Sequence, residues 1–392
     1  MKKKAVPLYL FSFSMIMPII AVVPLLPMIR DEISASYSQI SIFVACLGIV
    51  RILLAFPSGF LADRFDRKKI LLLSGFLNVS GLLILSSSRT IFQLIISRVL
   101  IGTGSIICTV TILVVLAEIA SPNAKGAMMS MNNVVHSAGG IITPALAGVL
   151  AGSYNWRFSF LLLAGLIVLS MITIAITFRD ERADYRKGED HREMETNSSS
   201  RKTRGAGVLE LAPIFAISLF VFFYRSSFRH TLIPFYGKDV FDIDVVALGF
   251  YISLMGSVAM VSIFISGFLS DRYGRKTVLI SGISFSTIAM IVLLLPGEWN
   301  PLLMTCIFVG AGAAINSMPN ILISDMAPSD SLGRMMGINR IFADSGYFLG
   351  AIIVGSLLDH FGFRVPLYVV VGFSVFTLTF ACFCVHNKPI KS

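Results

Sequence analysis

Twelve apolar stretches, each long enough to cross a hydrocarbon layer, constrain this chain more than any motif it carries. A bilayer core of about 30 Å is crossed by roughly 20 apolar residues in a helix. Stretches of that kind cover residues 8–28, 38–62, 70–88, 91–119, 125–152, 157–178, 208–236, 243–270, 276–295, 300–325, 331–358 and 363–386. Charged residues make up only 14% of the 392, against about 25% in an average soluble domain. The expectation is an all-α membrane protein with twelve transmembrane helices, embedded in the cell membrane.

The net charge of +10 would suit a nucleic-acid partner only if the basic residues formed a patch on a soluble surface. Their positions point elsewhere. With the N-terminus in the cytoplasm, 22 of the 32 Lys and Arg fall in cytoplasmic segments, five in external loops and five inside spans. That bias places both termini in the cytoplasm by the positive-inside rule, and no nucleic-acid partner is expected. Lys2, Lys3 and Lys4 ahead of an apolar run resemble a secretory signal, but no small-residue cleavage site follows, so the run is read as the first helix. Cys46, Cys108, Cys306, Cys382 and Cys384 all fall within spans without a C-x-x-C, which implies neither a disulfide framework nor a zinc site. Trp156 and Trp299 fall at external span ends, where interfacial Trp is expected.

Residues 179–207 break the apolar pattern with eight basic and seven acidic residues and the run Ser198, Ser199, Ser200. This composition predicts a solvated cytoplasmic linker between two six-helix bundles, 1–178 and 208–392. The bundles repeat each other. GFLADRFDRKK begins at Gly59 and GFLSDRYGRKT at Gly267, 208 residues later. Gly102 and Gly104 precede Gly310 and Gly312 by 208, while Glu118, Gly126, Met128 and Gly148 precede Asp325, Gly333, Met335 and Gly355 by 207. An even number of spans per half makes this a parallel repeat about an axis along the membrane normal.

The duplicated G-x-L-x-D-R-x-x-R-K, the six-plus-six layout and the charged linker resemble the major facilitator superfamily over essentially the whole chain. The first copy carries Asp66 where that family usually has glycine, and the second keeps Gly274. The turn at Asp66 is therefore expected to be looser, or to hold an aspartate in a left-handed conformation. Gly59 and Gly267 are expected to admit neighbouring helices closely. Asp63 and Asp271 sit where a carboxylate can meet a helix N-terminus or an arginine, a contact worth about 0.3–1 kcal/mol when exposed. The resemblance implies that Asp63, Arg64 and Arg67, with Asp271, Arg272 and Arg275 in the second copy, form a latch that makes and breaks with conformation. The simpler reading is that the basic residues only anchor topology. Glu118 with Lys125, and Asp325 with Arg334, resemble the cytoplasmic clasps of sugar-transporting members; loop ion pairs are the plainer alternative.

Arg51, Arg98, Arg225, Arg229 and Arg340 lie inside spans. At about 3 kcal/mol each, exposing all five to lipid would cost on the order of 15 kcal/mol. They are expected to face protein, water or an interface. At 1.5 Å per residue, Arg340 lies roughly 14 Å and Arg51 roughly 20 Å into their spans, near the midplane. Arg98 and Arg229 lie nearer the external ends, where snorkelling to the interface is an alternative. RVLIGTG, with Arg98, Gly102 and Gly104, resembles the fourth-helix motif linked to proton transfer in proton-coupled members. Asp344 is the only acid deep within a span and follows Arg340 by four residues on one helical face. The two form either a permanent buried pair or a proton-exchanging one. Asn132, Asn133, His136, Arg225, Asn316 and Asn320 cluster at midplane depth and, with Arg51, are candidates to line a substrate cavity. His136 titrates near neutral pH in principle, although a lone buried His is commonly a hydrogen-bonded packing residue.

The fifth span reads GGIITPALAG, which keeps the small residues but departs from the Gly-Pro and Gly-pair pattern of the family's drug antiporters. The leading expectation is a monomeric, proton-coupled exporter of small amphipathic organic molecules, resembling the twelve-helix drug and proton antiporters. Five span arginines against one deep acid support a competing expectation, an anionic metabolite such as an organic phosphate or carboxylate. A lipid flippase or a membrane sensor is a further possibility from a different class. There is no G-x-S-x-G, H-E-x-x-H or P-loop, so neither an enzyme nor a cofactor or metal is expected.

Overall fold

A computed structural model of the chain describes residues 2–120, 125–178, 208–295, 300–328 and 331–384. Twelve helices long and apolar enough to cross a membrane are present among them. In chain order they are α1 (Lys2–Ile33), α2 (Tyr37–Arg64), α3 (Arg67–Ser87), α4 (Ile91–Ile119), α5 (Lys125–Ser153) and α6 (Trp156–Thr177). The second half holds α7 (Val208–Tyr224, Arg225–Leu232 and Ile233–Asp239), α8 (Val245–Tyr273), α9 (Arg275–Leu294), α10 (Pro301–Ala311, Gly312–Asn316 and Met318–Met326), α11 (Leu332–Phe361) and α12 (Arg364–Cys384). The expected linker 179–207 and Trp299 lie outside the described residues, as do the side chains of Asp63 and Lys125.

Two spans expected to be regular are interrupted. In α7, Arg225–Leu232 is π-helical, and Thr231 Oγ1 donates to the Ser226 carbonyl five residues back at 3.0 Å. Turns of this kind are rare and are found frequently at functional sites. In α10, Gly312–Asn316 is a 3₁₀ turn, pressed against α9 where a Cβ on Gly312 would stand 2.7 Å from the Gly282 carbonyl.

Helix contacts repeat between the halves: α1 packs on α5, α2 and α3 on α4, and α3 on α6, as α7 packs on α11, α8 and α9 on α10, and α9 on α12. The expected pseudo-symmetry is therefore present in the packing. Turn chemistry differs between the two motif copies. Asp66 has an ordinary φ of −59° and caps α3, accepting from the backbone N–H of Lys68 at 2.8 Å and Lys69 at 3.3 Å. Gly274 instead takes φ +91°. The left-handed aspartate expected at Asp66 is thus corrected: a capping carboxylate satisfies the free N–H groups of the helix start and removes the need for glycine.

The halves meet along two seams, α2 against α11 and α5 against α8. Small residues bring backbones into contact there. A Cβ on Gly48 would stand 2.9 Å from the Asp344 carbonyl oxygen, and one on Gly148 2.7 Å from that of Val245. Both seams are sealed toward one end of the molecule. At that end Asp359 of α11 accepts from the backbone N–H of Tyr37 and of Ser38, both at 2.9 Å, capping α2 from the opposite half. Asp239 of α7 accepts from Arg30 at 2.9 Å and from the Tyr37 hydroxyl at 2.8 Å, and Tyr37 packs edge-on against Phe235 and Phe363.

Toward the other end the seams part. Gly59 of α2, Gly126 of α5, Gly267 of α8, and Gly333 and Gly337 of α11 would have nothing within 4 Å of an added Cβ. Gly59 and Gly267 therefore admit no close neighbour here, contrary to expectation, because the end that carries them is the parted one.

Candidate functional site

Between the halves lies a cavity of about 70 Å³. Ile16, Ile19, Ile20 and Val23 of α1 and Ile252 and Met255 of α8 supply its apolar lining. Arg51 of α2, Arg225, Arg229 and His230 of α7, and Tyr347 of α11 supply its polar lining. The π-helical turn explains why α7 alone contributes three polar groups. His230 Nδ1 and the Tyr347 hydroxyl are hydrogen-bonded at 2.9 Å. Arg225 lies 5.7 Å from the centroid of Phe222, and its Nε is buried without a hydrogen-bond partner.

Of the expected cavity residues, the structure puts Arg51 and Arg225 in this lining and the others elsewhere. Asn316 belongs to a smaller hollow of about 10 Å³ shared with Tyr224, Arg225, Arg229 and Ser286, and its Nδ2 donates to the Ala313 carbonyl at 2.8 Å. Asn133 is exposed. His136 Nε2 lies 2.8 Å from Ser12 Oγ, which also donates to Asn132 Oδ1 at 2.8 Å. Asn320 accepts from Asn339 at 2.8 Å, and Asn339 in turn accepts from Ser218 at 2.5 Å. Ser12 with Asn132, and Ser218 with Asn339, are equivalent buried pairs tying α1 to α5 and α7 to α11. Offsets of 206 and 207 residues relate them, so the repeat applied to polar residues would have found the second pair.

Asp344 and Arg340 do meet. Arg340 Nε donates to Asp344 Oδ2 at 2.6 Å. The aspartate is 1% exposed, its Oδ1 has no partner, and the arginine is 45% exposed. Arg98 reaches no interface. It is 2% exposed, its guanidinium lies 5.1 Å from the Phe43 ring centroid, and Nε and Nη1 lack partners. Tyr347 and Cys46 are among its neighbours. Arg229, also a candidate for snorkelling, lines the cavity instead. Trp156, expected at an interface, is 1% exposed and donates its indole N–H to Glu32. Arg157 joins Glu32 as well and donates to the carbonyls of Ser86 and Ser88 at 2.9 and 2.7 Å.

At the parted end the motif arginines and the clasp acids combine within each half. Arg67 makes a two-pronged contact with Glu118, one prong at 2.8 Å. Arg275 reaches Asp325 at 3.2 Å and Asp271 at 2.7 Å. The described basic partners of Glu118 and Asp325 are thus Arg67 and Arg275, while Arg334 is exposed. Each motif arginine starts a helix beside the end of the fourth helix of its own bundle, which brings Arg67 to Glu118 and Arg275 to Asp325, while the expected Glu118–Lys125 clasp lies outside the described residues. Arg64 and Arg272 lie over Phe60 and Tyr273, at 4.3 and 5.5 Å from the ring centroids.

The two pairs differ in burial, which sets a prediction. The Arg67 side chain is 5% exposed and that of Arg275 31%. Arg67→Ala should cost about 1.5–3 kcal/mol, the range for hydrogen bonds to charged groups, because the Glu118 carboxylate it leaves is 35% exposed. Arg275→Ala should cost only about 0–1 kcal/mol, as exposed pairs do. Thermal unfolding of the two purified variants measures the difference, and equal losses would contradict the assignment.

A sequence profile described as Major Facilitator Superfamily matches residues 8–269 and 258–392. Quinolone resistance protein NorA of Staphylococcus aureus strain MRSA252 is 22% identical over 387 residues, 96% of this chain and 95% of the relative. Multidrug resistance protein MdtG of Escherichia coli strain UMN026 is 25% identical over 341 residues, 85% of this chain and 81% of the relative. A bacterial homologue of the human lysosomal transporter Spinster, crystallised inward-facing and occupied, superposes with a TM-score of 0.78 at 15% identity, over 96% of this chain and 95% of the other. The nucleoside transporter NupG does so with 0.80 at 13% identity, over 97% and 99%. With the family profile running across both halves, the chain belongs to the Major Facilitator Superfamily and is a multi-pass integral membrane transporter.

Proposed function

We propose that the chain is a proton-coupled exporter of small amphipathic organic molecules that works by alternating access. Bundles 1–178 and 208–392 rock about the cavity, and residues 179–207 join them. The motif-bearing end and both termini face the cytoplasm, in accord with the basic-residue bias, so the conformation described is inward-open and the Tyr37–Asp359 end is external. The observation that carries this reading is the asymmetry of the seams, closed at one end and parted at the other around a half-apolar cavity. NorA and MdtG, named for drug resistance, support export of amphipathic compounds.

Asp344 is the candidate proton carrier. One carboxylate oxygen is held by Arg340 and the other has no partner, so a proton can replace a donor that conformational change removes. Arg98 lies near Tyr347, three residues beyond Asp344 on the same helix, and stabilises whichever state brings negative charge toward it. In the externally open state the parted end closes, and Gly59, Gly267, Gly333 and Gly337 receive the helices they lack here.

Purified protein reconstituted in vesicles with an internal pH dye tests the proposal. Adding amphipathic solutes under an imposed pH gradient should move protons together with the solute, and Asp344→Asn should uncouple the two. Solute movement that leaves the pH unchanged would remove proton coupling. No movement of either would remove transport and favour a sensor.

A further inference from the structure

The transporter reading leaves the cargo's charge open, and the division of the cavity wall bears on it. Resting on that reading, we infer that the cargo is an amphipathic anion whose carboxylate or phosphate head is bound between Arg51 and Arg225. The two guanidinium groups come from opposite halves of the molecule, α2 and α7, and both line the cavity. Arg229 adds a third positive group, and the hydrogen-bonded His230 and Tyr347 lie alongside. Among the described residues no carboxylate lines the cavity. The nearby acid, Asp344, already holds Arg340.

Arg51, Arg225, Arg229 and Arg340 share one nearby carboxylate, Asp344, which Arg340 already holds, and arginines that outnumber their counterions in a low-dielectric space repel one another and forgo hydrogen bonds. Arg225 shows both effects, with Arg51 and Arg229 close by and its own Nε buried and unpartnered. The Phe222 ring face compensates only in part. An oxyanion answers every one of these conditions. It accepts from planar guanidinium forks in bidentate fashion, and it cancels the repulsion that the two halves otherwise exert across the cavity. The aliphatic wall opposite, from Ile16, Ile19, Ile20, Val23, Ile252 and Met255, suits an apolar body and offers a free charge nothing. Cationic amphiphiles meet like charge at the head position and are selected against.

The test uses the full-length purified chain and three probes that share one apolar body: 2-naphthoate, 2-naphthyl phosphate and a naphthylmethyl-trimethylammonium salt. Equilibrium binding by calorimetry should favour the two anions over the ammonium by about tenfold to a hundredfold, the range for hydrogen bonds to charged groups. The order of the two anions identifies the head, carboxylate or phosphate. Arg51→Gln and Arg225→Gln should each remove most of the preference, while Arg225→Lys, which keeps charge but not the fork, should retain the preference at lower affinity. If the Gln variants do not fold, the wild type and the Lys variant still decide the matter. Equal or tighter binding of the ammonium probe, or anion binding untouched by both Gln changes, overturns the inference. Anions that bind but do not cross reconstituted vesicles would sustain this subsite and remove the exporter reading. An ammonium probe that crosses while the anions fail to bind would do the reverse.

Discussion

Replacing Gly249 with leucine is expected to abolish net transport while leaving both bundles folded, with the Tyr37–Asp359 end sprung open. A Cβ at this position would stand 2.5 Å from the Pro144 carbonyl oxygen and 3.2 Å from the Gly148 Cα. Those are backbone atoms of α5, so no rotamer change relieves the overlap. Because α5 and α8 belong to different halves, rigid separation of the halves relieves it instead, and the cores within each bundle are left alone. A cysteine replacing Ser41, buried at the α2–α11 seam, reports the outcome through its labelling by a water-soluble maleimide. If the open form rises from the about 1–10% typical of a minor state to the majority, labelling should accelerate roughly tenfold or more. Undiminished transport with unchanged labelling would show that the seam does not need this close approach.

Arg98→Met should do two opposite things: raise thermal stability and reduce transport to background. The arginine is 2% exposed, and its favourable side-chain neighbours are the Phe43 ring at 5.1 Å and the Tyr347 hydroxyl, with no carboxylate among them. Two of its nitrogens have no hydrogen-bond partner. Replacing poorly compensated buried charge with an apolar side chain of similar volume is neutral or stabilising by about 1–4 kcal/mol, and methionine fills the same irregular space. A residue kept at such a cost serves a state other than the one described. Unfolding in detergent and flux in vesicles, measured on one preparation, separate the effects. A variant that loses stability but still transports would make Arg98 a packing residue.

The spans and the repeat are legible in the sequence because hydropathy and a fixed offset are local or translational signals. The capping role of Asp66 is legible too, since an aspartate followed by a helical Arg-Lys-Lys is an N-cap pattern. What the sequence withholds is how the halves meet. Nothing near Asp359 announces that its carboxylate caps α2, 322 residues away in sequence from Tyr37. The π-helical turn at Arg225–Leu232 is likewise set by packing, and it brings His230 and Arg229 into the cavity lining. Tyr347 reads as an ordinary aromatic in a membrane span until the fold places it beside His230. By contrast, Arg51 and Arg225 were identifiable from charge and depth alone, because lipid excludes them.

The rocking of two bundles about the cavity is tested most directly by spin-label distances measured at both ends of the molecule in the same conditions. Exposed positions suit this, with Arg89 and Phe361 reporting the sealed end and Phe65 and Tyr273 the parted one. Adding a transported solute or changing pH should lengthen the first distance and shorten the second, with the two changes growing in proportion. Distances that lengthen or shorten together, or a parted end that never closes while solute is moving, would contradict the account.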